Sequence, residues 1–174
     1  MKKIICLLLS LFILSGCNGS NINLDQYYDM IDVISSTEEF ITLPTDYSFT
    51  FEVVDTSEGK RFYIIIDVPK QAMFDVKILA YEEGINPKME FAPNAGIFGD
   101  KINLLPNQVN ISSGYAKGIS ISGLLKRDNF SIYCLVQWTD NNKTKVYRDI
   151  YKLNKDSVTL MNNPLYIGNS LYAK

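Results

Sequence analysis

Apolar and polar residues alternate along most of the chain, in short runs that end near glycine, proline or asparagine. A period of two places every second side chain on the same face of a β-strand, so each run predicts a strand with one buried face. The clearest pair of runs, 47–56 and 61–68, flanks the turn Ser57-Glu58-Gly59-Lys60 and predicts a β-hairpin. Its inward-facing residues are Phe49, Phe51, Val53, Phe62, Ile64, Ile66 and Val68.

Further alternating runs follow along the rest of the chain. They predict strands over 73–82, 118–125, 130–139 and 144–153, and shorter extended pieces over 39–42, 88–92, 101–105 and 108–112. Turns that recur every 8 to 12 residues or so, with alternation on one side, are typical of antiparallel sandwiches. We therefore predict an all-β fold, an antiparallel β-sandwich of the immunoglobulin or fibronectin kind, with Trp138 and Phe62 buried in its core.

The segment 24–36 fits two kinds of secondary structure. The β-branched residues within 32–34 suit a strand, whereas the spacing of the apolar residues suits a helix with Asp25 as its N-cap. We predict the short N-terminal helix. The apolar residues that share its face are Tyr27, Tyr28, Ile31 and Ile34.

The predicted strand over 130–139 carries apolar residues on both faces. Cys134 faces one way, and Tyr133 and Leu135 face the other. The second face is either an exposed amphipathic patch or is covered by the C-terminal segment 156–174, and the pattern leaves both possibilities open. The apolar residues of that segment are Val158, Leu160, Leu165, Tyr166 and Ile167.

The first 17 residues follow a different pattern. Two lysines precede an apolar run over 4–14, which is well short of the ~20 residues that a spanning helix needs. The run ends in Leu14-Ser15-Gly16-Cys17, a tetrapeptide that resembles the lipobox of bacterial lipoprotein signal peptides. The resemblance covers only 1–17. It implies cleavage before Cys17 and a diacylglyceryl group on the Cys17 sulfur.

The resemblance also implies a division of the chain into three parts. These are a signal peptide (1–16), a lipidated tether (17–24) and a single β-sandwich domain (25–174). Two acyl chains anchor a protein stably where one chain binds only marginally, so the implied location is the extracytoplasmic face of the cell membrane. The alternative is an ordinary secretory signal in which the cysteine occurs by chance.

Composition narrows the chemistry of the mature chain. The sequence contains no histidine, which excludes Ser-His-Asp and Cys-His catalysis, histidine-ligated zinc and an imidazole pH switch. The formal net charge of −2 becomes more negative once Lys2 and Lys3 are removed, which argues against nucleic acid as a partner. With Cys6 removed and Cys17 lipidated, Cys134 is the remaining thiol, and we expect it to be buried and unreactive.

Three short motifs resemble functional ones without matching their context. Ser57 and Lys60 fit the S-x-x-K pattern of penicillin-interacting serine enzymes, but they lie in a predicted hairpin turn and not at a helix start. The run 140–142 has adjacent oxygen side chains where a calcium loop needs alternating ones. The acidic pairs 38–39 and 82–83 fit solvated strand ends better than glycoside hydrolysis. We therefore expect no catalytic residue, no metal site and no cofactor.

The stretch 112–118 is the remaining surface candidate. It is small and polar, and Tyr115 and Lys117 are its long side chains. As a binding loop it would present these two residues to a partner. As a corner between two sheets it would use Gly114 and Gly118 at positive φ. We favour the corner, and we keep Tyr115 and Lys117 as the candidate binding residues.

These observations predict a non-catalytic bacterial lipoprotein that binds a protein partner at the cell surface. The argument from fold to binding is an analogy, because sandwiches of this class serve many functions. The alternative prediction is a binding module for a small solute or a cell-wall glycan, which would need a concave pocket lined by aromatic residues.

Overall fold

The computed structural model describes residues 22–157. The signal peptide, Cys17 and the C-terminal segment from 158 onward lie outside the described residues. The elements in chain order are α1 (Ile22–Ser35), β1 (Ser48–Thr56), β2 (Gly59–Asp67), β3 (Phe74–Glu82), β4 (Asn94–Ala95), β5 (Gly118–Leu124), β6 (Ile132–Thr139) and β7 (Val146–Leu153). A short 3-10 helix, Ile111–Ser113, lies in the long loop before β5.

The strands of the described range form two sheets, with the orders β1-β2-β5 and β4-β3-β6-β7. All neighbouring strands are antiparallel. The predicted antiparallel β-sandwich is therefore confirmed. The first, second and fifth strands lie in one sheet and the third, sixth and seventh in the other, as in immunoglobulin-like and fibronectin-like sandwiches.

The core between the sheets is built from the residues that alternation places inward, except Val68, which follows the end of β2 and is 45% exposed. Trp138 on β6 and Phe62 on β2 are each only 2% exposed, which confirms their predicted burial. Cys134 is also buried, as predicted. Fully buried residues of this core are Phe51, Ile64, Ile66, Val76, Ile78, Ala80, Ile132, Val136 and Tyr151.

The β1–β2 hairpin is tighter than the sequence predicts. Thr56 pairs with Gly59, so the loop is the two residues Ser57 and Glu58 and not four. Gly59 has a φ of 122°, a conformation that a side chain at this position would oppose. The glycine is therefore what lets the chain reverse in two residues.

Helix α1 lies on the outer face of the four-stranded sheet and packs against β6. The predicted helix is confirmed, but Asp25 is not its N-cap, because the helix already begins at Ile22 and Asp25 lies in its first turn. There its carboxylate interacts favourably with the positive end of the helix dipole. The helix residues buried against the sheet are Tyr27, Met30, Ile31 and Ile34.

Helix α1 covers the second face of β6. Leu135 is completely buried in a cluster with the helix, together with Leu79 of β3 and Ile150 of β7. The exposed amphipathic patch is therefore wrong. Strands covered on both faces lose the simple alternation of a half-buried strand, which explains the apolar run 78–81.

The short extended pieces predicted between the main strands do not form ladders. The segment 39–42 is not a strand, although Ile41 N donates a hydrogen bond to Ile150 O (2.7 Å). The segment 88–92 is a turn that follows Asn86. The pieces 101–105 and 108–112 form only isolated bridges. By contrast, the ends of the six longer predicted strands are within two residues of those observed.

Candidate functional site

A groove opens at the end of the sandwich where β3 finishes, with a volume of about 290 Å³. The three-stranded sheet and the residues after β5 contribute Arg61, Phe62, Gly123, Leu124 and Lys126 to its lining. The end of β3 and the loop after it contribute Tyr81, Glu82, Ile85, Glu90 and Phe91. We call this site the Glu82 groove.

Glu82 is a buried acid with one carboxylate oxygen unsatisfied. The residue is only 5% exposed. Its Oε2 atom accepts a hydrogen bond from the backbone N of Lys126 at 2.7 Å, whereas its Oε1 atom has no hydrogen-bond partner among the described residues. A buried polar atom without a partner costs free energy, and the cost is larger for a charged group.

The prediction that the acidic pair 82–83 is a solvated strand end is therefore wrong for Glu82. Alternation could have indicated its burial, because Glu82 continues the inward series of Ile78 and Ala80. Glu83 does face solvent. The Tyr133 hydroxyl (2.6 Å) and the Lys152 ammonium (3.1 Å) both donate to Glu83 and lower the pKa of its carboxyl group.

The other two buried side-chain atoms without a partner in residues 22–157 differ from Glu82 in charge and in place. They are Ser131 Oγ and Trp138 Nε1, and both belong to neutral groups. Neither residue lines the groove. Glu82 is thus the one ionisable residue of the three, and it lines the groove although its Oε1 atom is not accessible to solvent.

The basic residues of the groove are already paired with other acids. Lys126 Nζ lies 3.2 Å from Glu90 Oε1, and Arg61 lies 3.0 Å from Glu58 Oε2. These two ion pairs cancel in formal charge. Counted over the lining alone, Arg61 and Lys126 balance Glu82 and Glu90, so the groove carries no formal net charge.

Gly123 shapes the floor of the groove. It pairs with Phe62 across β2 and β5. A Cβ atom at this position would lie 2.7 Å from both the Phe62 ring and the Pro93 side chain, closer than packed carbon atoms come. Any residue with a side chain at this position would therefore displace the groove lining. Alternation along the sequence indicates that residue 123 faces inward, but not that it has to be glycine.

Exposed apolar side chains lie beside the groove and form what we call the aromatic patch (Met89, Phe91 and Phe98). Met89 is 85% exposed, Phe91 64% and Phe98 42%. The Phe91 and Phe98 rings contact each other at 5.6 Å between centroids. Phe91 also lines the groove, so the patch and the groove form one continuous surface.

Tyr27 of helix α1 holds the patch in place from beneath. Its buried hydroxyl donates to Pro87 O and accepts from Ala92 N, both at 2.8 Å. Its ring lies 5.0 Å from that of Phe91 and 5.6 Å from that of Phe98. The loop over 87–92 is thereby fixed to the helix although it contains no strand.

The opposite end of the sandwich is closed by a second group of aromatic side chains, the Tyr47 cluster (Tyr47, Trp138, Tyr147, Asp149 and Tyr151). The Tyr47 hydroxyl donates to Asp149 Oδ2 at 2.7 Å and lies 2.7 Å from the Tyr151 hydroxyl. Trp138 packs edge-on against Tyr47 and stacks on Tyr147. Burial raises the pKa values of Tyr47, Tyr151 and Asp149, so both phenols stay protonated.

The stretch 112–118 lies at this closed end, because Gly118 pairs with Asp67 while the groove residue Leu124 pairs with Arg61 at the other end of β5. Tyr115 is half-buried and its N donates to Asn110 O at 2.9 Å, whereas Lys117 is exposed. The structure therefore does not bring Tyr115 and Lys117 to the Glu82 groove.

The two glycines of this stretch have different roles. Gly114 has a φ of 76°, which confirms the positive φ predicted for it. Gly118 does not have a positive φ, so that prediction is wrong. It is instead required because a Cβ there would lie 2.7 Å from the backbone oxygen of Ile66.

The residues of the remaining motifs make structural contacts within the fold. Lys60 pairs with Asp128 across the hairpin end, and Ser57 lies in the two-residue turn. Asp140 accepts hydrogen bonds from the backbone N atoms of Thr144 (2.8 Å) and Lys145 (3.2 Å). The hydrogen bond from the Thr144 hydroxyl is the largest cause of the lowered pKa of Asp140, and the backbone hydrogen bonds lower it further. Asp140 therefore stabilises the loop between β6 and β7.

Within residues 22–157, no three cysteine, aspartate or glutamate side chains gather as metal ligands would. Over the same range, no helix is both long and apolar enough to cross a bilayer. Cys134 is enclosed by the core, and its burial raises the pKa of the thiol. Comparison of the chain with protein-family models, with curated protein sequences and with solved structures finds no match.

Proposed function

We propose that this chain is a non-catalytic bacterial lipoprotein, anchored through Cys17 at the extracytoplasmic face of the cell membrane, that binds a protein partner. The binding surface is the Glu82 groove together with the aromatic patch. The observation that carries the proposal is the exposure of Met89 and Phe91 beside a concave, charged site. Aromatic residues and methionine are enriched where proteins bind one another.

The rigidity of the patch supports binding to a partner. Tyr27 fixes the loop over 87–92 by two hydrogen bonds and by its contacts with Phe91 and Phe98. Large side chains that are exposed but already ordered lose little conformational entropy when a partner covers them. The patch therefore has the properties of a preformed anchor for a protein surface.

The position of the anchor limits where the partner is met. Four residues lie between Cys17 and Ile22, the first residue of α1, and the five Cα-to-Cα steps from one to the other span at most ~18 Å. A lipid on Cys17 would keep the domain close to the membrane surface. The partner we propose is accordingly a protein that lies on that membrane or approaches it from outside the cell.

The second candidate is a binding module for a small solute or a cell-wall glycan, favoured by the enclosed part of the groove. Its volume of about 290 Å³ is near the lower end of small-molecule sites, and Phe62 and Tyr81 line it. A small ligand would leave Met89 and Phe98 exposed, whereas a protein partner would cover them. That difference favours the protein partner.

The anchor is tested by replacing Cys17 with serine in the full chain and labelling cells with a fatty-acid analogue. We expect the label on this protein to be lost, because the serine hydroxyl cannot form the thioether. Cys6→Ser is the matched control and should keep the label. Undiminished label on Cys17→Ser would overturn the proposed anchor.

The binding surface is tested with two double variants of the full chain, each removing two exposed apolar side chains. Met89→Ser with Phe91→Ser alters the patch, and Val109→Ser with Ile111→Ser is the matched control at the closed end. Partners are crosslinked on intact cells and quantified by mass spectrometry. We expect specific crosslinks to be lost in the patch variant and kept in the control. Equal crosslinking by both would contradict the proposed surface.

A further inference from the structure

The chain leaves the four-stranded sheet at the open end of the sandwich, where the Glu82 groove lies. Strand β7 ends at Leu153, which pairs with Ile132 of β6, and Ile132 pairs with Glu82 at the end of β3. Neighbouring strands are about 4.8 Å apart, so the end of β7 is only ~10 Å from the end of β3. The segment 158–174, which lies outside the described residues, therefore follows from a point close to the groove.

The residues that join β7 to this segment are held at the same end of the domain. Asn154 N donates to Ser157 Oγ at 3.0 Å, and Asn154 Oδ1 accepts from Ser157 N at 3.1 Å. The Lys60 ammonium, and to a lesser extent that of Lys155, lowers the pKa of the Asp128 carboxyl group. Lys155 thus lies near the loop between β5 and β6, which also contributes to the groove lining.

The segment 158–174 is apolar and almost uncharged. Lys174 is its one charged side chain. Its large apolar residues are Val158, Leu160, Met161, Leu165, Tyr166, Ile167, Leu171 and Tyr172. Helix α1 already covers the second face of β6, so that face does not receive them. Removing these side chains from water is favourable, and it requires another apolar surface.

The open end offers an apolar surface of matching chemistry. The lining of the groove includes Phe62, Tyr81 and Leu124, and its charged residues balance one another. A lining without net charge suits an uncharged occupant, because burying an unpaired charge there is costly. The aromatic patch continues this surface outward, and Met89 and Phe91 are mostly exposed. The segment and the surface are therefore complementary in both polarity and charge.

The covalent connection makes a weak contact sufficient. A site and a segment joined through one chain meet at an effective concentration of about 1 mM. An intrinsic Kd of ~0.1 mM then gives about ten docked chains for each undocked one. Reach is not limiting, because the 17 residues of the segment span up to ~60 Å when extended.

We infer that the segment 158–174 docks on the aromatic patch and the mouth of the Glu82 groove of its own chain, and that the partner has to displace it. Only the displacement rests on the proposed function, because docking needs no partner. The segment then acts as an internal competitor that covers the binding surface of the free protein. A second copy of the chain and the membrane are the alternative occupants.

Docking is tested in the full chain on intact cells with pairs of introduced cysteines. Met89→Cys is combined with Ile167→Cys, and Ile111→Cys with Ile167→Cys is the matched control. Met89 and Ile111 are exposed to a similar extent, 85% and 82%, at opposite ends of the sandwich. After mild oxidation, disulfides are identified by mass spectrometry of unreduced digests. We expect at least about fivefold more disulfide within one chain for the Met89 pair than for the control.

Leu160→Cys and Leu171→Cys replace Ile167→Cys in two further series, so that the result does not depend on one position of the segment. Equal amounts of disulfide within one chain for the Met89 and Ile111 pairs, in all three series, would overturn the docking. Disulfides at Met89 that join two chains would identify a second copy as the occupant and would also overturn it.

The membrane is tested as an occupant through the reactivity of Met89→Cys alone with a water-soluble maleimide. A segment variant and a control variant carry three serine substitutions each. The segment variant replaces Leu165, Tyr166 and Ile167, and the control variant replaces Asn162, Asn163 and Asn169. We expect labelling of Met89→Cys to be slow in the unaltered and control backgrounds and several-fold faster in the segment variant. Protection that persists in the segment variant would assign the patch to the membrane and contradict the docking.

Displacement is tested with the same variants in the partner crosslinking assay. If about ten chains are docked for each undocked one, releasing the segment raises the apparent affinity for the partner about tenfold. We therefore expect crosslinks at limiting partner to rise several-fold in the segment variant and to stay unchanged in the control. No rise in the segment variant would refute the displacement. Crosslinks that survive in the patch variant would instead refute the proposed binding surface, whereas the Met89 disulfide supports docking independently of any partner.

Discussion

The aromatic and acidic side chains at the two ends of the sandwich differ in burial and in hydrogen bonding. Near the beginning of β3, the rings of Tyr47 and Trp138 are buried, and Asp149 accepts a hydrogen bond from the Tyr47 hydroxyl. At the other end of β3, Phe91 is largely exposed and Glu82 Oε1 has no partner in the described range. Both ends use the same types of residue.

The two ends differ in how their carboxylate groups are bonded, although Trp138 Nε1 at the closed end is also a buried polar atom without a partner among the described residues. At the closed end, hydroxyl and carboxylate groups bond to one another and join β1 to β7 across the sheets. At the open end, Glu82 lines the groove, but its Oε1 atom is buried and has no partner among the described residues. Folded proteins satisfy the great majority of their buried polar atoms, so Glu82 Oε1 and Trp138 Nε1 are exceptions, one at each end of the sandwich.

The largest expected effect compares one aromatic residue from each end. Trp138→Ala should lower the free energy of unfolding by ~3–5 kcal/mol, because it leaves a cavity in a fully packed core. Phe91→Ala should lower it by about 1 kcal/mol or less, because its ring is mostly in water. Thermal unfolding followed by circular dichroism measures both. Similar shifts in melting temperature for the two variants would refute the distinction between the ends.

An intermediate effect concerns the loop before β5 at the closed end. Gly114→Val should destabilise the protein by ~1–3 kcal/mol, because it forces a β-branched residue into positive φ. Tyr115→Ser with Lys117→Ser should leave partner crosslinking as in the unaltered chain, because these side chains lie away from the Glu82 groove. Crosslinking that is lost in this double variant, with the melting temperature kept, would move the binding surface to the loop.

The smallest effect is the pH dependence of the Tyr47 cluster. Burial raises the pKa of Asp149 above its ordinary value of 3.8, so the folded state favours the protonated carboxyl group. The stability from this group is present below that ordinary pKa and is lost as pH rises through the raised pKa. Asp149→Asn removes the titrating group, so the loss of stability with rising pH should disappear in this variant. We expect the melting temperature of the variant to rise relative to the unaltered chain as the pH is raised above about 4, the ordinary pKa of an aspartate.

A pH-independent difference between the two chains would contradict this account of Asp149. Glu52→Gln, on the exposed face of β1, serves as the control for removing a carboxylate from the same sandwich.

The local pattern of apolar and polar residues was sufficient to predict the main strands, but it was insufficient to predict the loops. The hairpin β1–β2 follows from alternation alone, because a half-buried strand exposes every second residue whatever its neighbours are. The segments 39–42 and 88–92 have similar apolar content but no partner strand in register. Whether an extended segment joins a ladder depends on residues far away in the chain.

The sequence by itself determined the all-β fold, the short N-terminal helix, the inward position of Trp138 and the absence of histidine chemistry. It also carries the lipobox-like segment that ends at Cys17, which remains a prediction. Only the tertiary structure decided that α1 covers β6, that Glu82 Oε1 has no partner among the described residues, and that Phe91 is exposed near Glu82. Periodicity reports which face a side chain takes, whereas burial and hydrogen-bond partners depend on what packs against that face, and distant segments supply that packing.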